Sequence, residues 1–162
     1  MKKALVLCLA AVFLFASCGV MQKAATTGNQ TSASSISRSN DGQTAGRALK
    51  ALYSQYKADG KFDASNLSNI ANTMLLIQSC KTLKTSMKDS DYWKSFAQGL
   101  ILGSDNLVTE TVSNTVTTQL NSMMQNIDTE KLESAGQNAT EAASAVASAA
   151  SSLKSIFNIF SK

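Results

Sequence analysis

The chain has 162 residues, 44% of them hydrophobic, enough for one small domain with a single core. It contains no histidine, which removes the usual general base, the Ser-His and Cys-His pairs and the commonest zinc ligand. The formal charge of +4 comes from basic residues scattered singly rather than striped along a face, a pattern that argues against a nucleic-acid partner.

Met1-Lys2-Lys3 is a short positive region, and residues 4–16 are an unbroken apolar run. As a helix, 13 residues rise about 20 Å, against about 30 Å for a bilayer's hydrocarbon core. The run is too short for a permanent span, and residues 1–17 read as a secretion signal. It closes in Leu14-Phe15-Ala16-Ser17-Cys18-Gly19, where two small residues precede the thiol. This resembles a lipobox, with Phe15 where leucine is commoner. The resemblance implies a diacylglyceryl thioether on Cys18, cleavage just before it and acylation of the new amino group, so that the membrane becomes a partner through the anchor. Two or more acyl chains hold a protein stably where one does not.

Processing of this kind leaves 13 basic against 11 acidic residues, a formal charge of +2. Cys8 departs with the signal and Cys18 is consumed, so Cys80 alone remains and no intrachain disulfide can form. Residues 19–42 are rich in Ser, Thr, Asn and Gly, with Val20, Met21 and Ile36 as their only large apolar side chains. Such a stretch cannot bury enough to offset its ordering entropy and is expected to be a disordered tether. The lipidated cysteine and tether then occupy 18–42, and a single helical domain occupies 43–162.

From Thr44 the apolar spacing is helical. Ala45, Leu49, Leu52 and Tyr56 recur at steps of four, three and four, and Asp59-Gly60 supplies a stop. A second helix is expected to start near Asp63 or Ser65, with Leu67, Ile70, Met74 and Ile77 on its core stripe and Leu75 and Leu76 widening it. Lys88-Asp89-Ser90-Asp91 can cap a third, whose face carries Tyr92, Phe96 and Leu100 and which Gly103 ends. Ser104-Asp105 would cap a fourth. Val108, Val112, Val116, Leu120, Met123 and Ile127 recur there at steps of three or four, and a strand would mix Glu110 and Asn114 into the valine face. A turn of helix over 130–135 is expected to end at Gly136, and Asn138-Ala139-Thr140-Glu141 resembles a capping box for the last helix. That helix begins almost wholly in Ala and Ser, so 128–162 could be held more loosely. It ends with Leu153, Ile156, Phe157 and Phe160 on one face, a face that either docks on the core or meets a partner. The fold class is therefore all-α, a small bundle of about four to five helices after the tether.

Motifs for catalysis are incomplete. Ser54-Gln55-Tyr56-Lys57, Ser151-Ser152-Leu153-Lys154 and Ser104-Asp105-Asn106 match two parts of the penicillin-recognising serine-enzyme signature, but the K-T-G part is missing. Cys80 lies inside a helical pattern and reads as a small buried hydrophobe. No oxygen cage for calcium surrounds Asp59-Gly60. The chain is expected to be no enzyme and to need neither cofactor nor metal.

Taken whole, it resembles the small, mostly helical lipoproteins of the Bacteroidota. Gly19-Val20-Met21-Gln22-Lys23 lacks the acidic run that accompanies surface export in that group, and Gly19 is not the aspartate that retains lipoproteins at some inner membranes. The resemblance implies an outer-membrane protein facing the periplasm. Two readings stand: an anchored interaction or structural module that contacts an envelope protein, or a binder of a lipid or other apolar ligand in an interhelical cavity lined by Met74, Met123, Met124 and Phe96.

Overall fold

The computed structural model describes residues 31–86, 88–128 and 139–161. Among them are five α-helices, α1 (Thr31–Asp59), α2 (Leu67–Cys80), α3 (Ser90–Gly103), α4 (Glu110–Gln125) and α5 (Ala139–Phe160), with a 3-10 turn at Lys81–Lys84 and no strand. The all-α bundle expected from the apolar spacing is the observed fold.

The chain's own polar groups set most boundaries. Gly60 ends α1 in the left-handed conformation (φ 67°), donating its N–H to the Tyr56 carbonyl at 2.9 Å. Asn66, rather than Asp63 or Ser65, caps α2, accepting from the Ser68 and Asn69 N–H groups at 2.9 and 3.3 Å. Asp63 forms the turn before it, with one carboxylate oxygen accepting from both the N–H and the hydroxyl of Ser65. Asp89 caps α3 through the N–H groups of Asp91 and Tyr92, each at 3.0 Å. Ser104 is the C-cap of α3, donating its N–H to the Leu100 carbonyl at 3.0 Å, rather than the N-cap of α4, which is Thr109. The Ser104 hydroxyl closes the turn after α3, donating to the Ile101 carbonyl and accepting from the Val108 N–H, while Asp105 and Asn106 take positive φ. The 130–135 turn and the Asn138 cap lie outside the described residues.

The tether reading is corrected from Thr31 onward: residues 31–42 are the first turns of α1. What holds them is tertiary. Gly42 and Gly46 of α1 meet Gly99 and Gly103 of α3 so closely that a Cβ on any of the four would overlap the opposite backbone, at Phe96, Leu100, Ser39 and Gln43 respectively. Both helices thus carry a G-x-x-x-G spacing, which puts two glycines on one helix face and brings backbones together. Arg38 reaches Asp89 at 3.4 Å and lies over the Tyr92 ring, and Lys50 reaches Asp105 at 2.6 Å. These pairs ascend together along both helices, so α1 and α3 run parallel. α2 returns antiparallel on the other flank of α1.

α4 packs on α3 and ends with the Ile127 carbonyl accepting from Lys84 Nζ at 3.5 Å, beside the end of α2. α5 then lies on α4 and α2 and finishes against Tyr53 and Tyr56 of α1. The molecule has two ends. One gathers Arg38, Cys80 and Asp89, with Lys84 and Ile127 beside the end of α2; the other gathers Gly60, Leu67 and Phe160. A single core runs between them, built on Leu49, Leu52, Leu76, Phe96, Leu120, Met123, Leu153 and Phe157.

Candidate functional site

The last two turns of α5 belong to the core. Leu153, Ile156 and Phe157 have no exposed surface, and Phe160 is half-buried. Phe157 packs on Tyr56 and Tyr53 with ring centroids 5.0 and 5.6 Å apart, and Phe160 meets the Tyr53 ring edge-on at 5.3 Å. The Tyr53 hydroxyl donates to the Phe160 carbonyl at 3.3 Å. A partner-contact face at these four residues is thereby corrected: the Ala-Ser half of α5 brings its aromatic half down onto α1, and that docking consumes the face.

Phe96, Met123 and Met124 are likewise completely buried, and Met74 packs against the same core from its edge. These side chains fill space, and an apolar ligand would have to displace them. Of the serine-enzyme residues, Ser104 is buried in its turn whereas Ser54 and Lys57 are exposed on α1. Cys18 lies outside the described residues.

One titratable cluster forms that the spacing alone did not single out, where α1, α2 and α3 meet at the Arg38 end. Burial pushes the Cys80 thiol far up, helped by the negative charge of Asp41, so the sulfur stays protonated and unreactive. Burial pushes Tyr92 up to about 12 and raises Asp41 above the ordinary carboxylate range. Asp89 is held low, chiefly by the Tyr92 N–H with help from Arg38. Asp105 is held low by the Lys50 ammonium, and Asp63 by the Ser65 hydroxyl and N–H. Each shift has a structural cause in a cap, a turn, an ion pair or burial. Among the described residues no group of three or more Cys, Asp or Glu side chains could hold a metal ion, and no helix is long and apolar enough to cross a membrane.

A second departure concerns α2. Its buried residues are Asn69, Thr73, Leu76, Ile77, Ser79 and Cys80, so the helix is turned by roughly 90–110° from the expected stripe, at about 100° per residue. The cause is local. The Asn69 side-chain amide donates to the Asp63 carbonyl at 2.9 Å, tying this face to the α1–α2 connection. Ile70 and Met74 are left half-buried, while Leu67 and Leu75 are 70% and 41% exposed. Leu67, Ala71 and Leu75, at steps of four, thus form an outward stripe. Helical periodicity could not have found it, because α2 carries apolar residues on more than one face.

Comparison of the chain with protein-family models, with curated proteins and with solved structures finds no match.

Proposed function

We propose that this protein is a lipid-anchored component of the bacterial cell envelope, held through Cys18 at the outer membrane facing the periplasm, where it acts as a non-catalytic interaction or structural module. The observation that carries the reading is the position of Cys18, immediately after a short apolar run and two small residues and 13 positions before α1 begins. Twelve residues, 19–30, separate Cys18 from Thr31 in the sequence.

The bundle supports a non-catalytic role in its side chains. Cys80 is sealed and protonated, and Asp63, Asp89 and Asp105 are engaged in a turn, a cap and an ion pair. What the molecule offers outward is helical surface, including the Leu67–Leu75 stripe. Growth with a radiolabelled fatty acid tests the anchor. The protein is expected to take up label and to remain with outer-membrane vesicles, and Cys18→Ala is expected to lose both. Label or membrane retention that survives the substitution overturns the reading.

A further inference from the structure

We draw no further inference here: the strongest candidate, the outward apolar stripe of α2 formed by Leu67, Ala71 and Leu75, is an unpartnered face, and nothing in the structure shows what covers it.

Discussion

Asp41 and Asp89 respond oppositely to protons. Burial raises the Asp41 carboxyl above its unfolded value, so ionising it costs stability. That cost is absent below the unfolded pKa, grows as pH rises through the folded pKa and is fully present at neutrality. Asp89 is held low by its cap bonds and by Arg38, so its contribution is present above the unfolded pKa and fades as pH falls through the folded one. Asp41→Asn is therefore expected to raise the denaturation midpoint at pH 7 and to leave it nearly unchanged near pH 3, with solvent screening at this half-exposed site keeping the gain below about 1 kcal/mol. Urea melts of both proteins across that range check it. None of this was legible in composition: Asp41 falls in a stretch that reads as tether, and its neighbours Cys80 and Tyr92 are 39 and 51 positions away. The Asp89 cap, by contrast, was evident, because an N-cap involves only residues within one turn.

Among the elements, the α1–α3 contact is the one that tolerates least change. Alanine normally favours a helix over glycine by about 1 kcal/mol. At Gly99 the added methyl meets the Ser39 carbonyl, and backbone cannot swing aside as a side chain can. Gly99→Ala is expected to cost about 3 kcal/mol net. Gly60→Ala meets nothing within 4 Å and suffers only the left-handed backbone, about 1 kcal/mol. Thermal melts of the two variants should rank them in that order, and equal losses would contradict the close crossing. The glycine spacing at 42–46 and 99–103 was present in the sequence, but Gly103 reads equally well as a helix stop, which it also is. Helix identity was legible from period; the face each helix turns inward was legible only where apolar residues form one stripe, as on α4, and not on α2.

For the molecule as a whole, α5 completes the core. Phe157 is fully buried against two tyrosines of α1, over 100 positions earlier in the chain. Phe157→Ala is expected to destabilise the bundle by about 3–5 kcal/mol, a large share of a small domain's stability. Leu67→Ala, at a site 70% exposed, should stay within about 0.5 kcal/mol. Denaturant unfolding of both variants checks the contrast, and a mild effect at Phe157 would restore α5 as a free face. Loss of Phe157 then reports on folding.

What the sequence determined by itself follows from short-range physics: the helical class, the Asp89 cap, the Gly60 stop and the end of α3 at Gly103. Each depends on residues within a few positions of one another. What the tertiary structure decided depends on which surfaces meet. Residues 31–42 are helix where composition indicated none, and from Ser39 onward their backbone lies against α3. On α2 the buried seam runs through Asn69, Thr73, Leu76 and Ile77, which leaves Leu67 and Leu75 facing outward. Docking on Tyr53 and Tyr56 withdrew Phe157 from solvent. A side chain's periodicity says that it shares a face with its neighbours, and only the packing of the other helices says whether that face is inside.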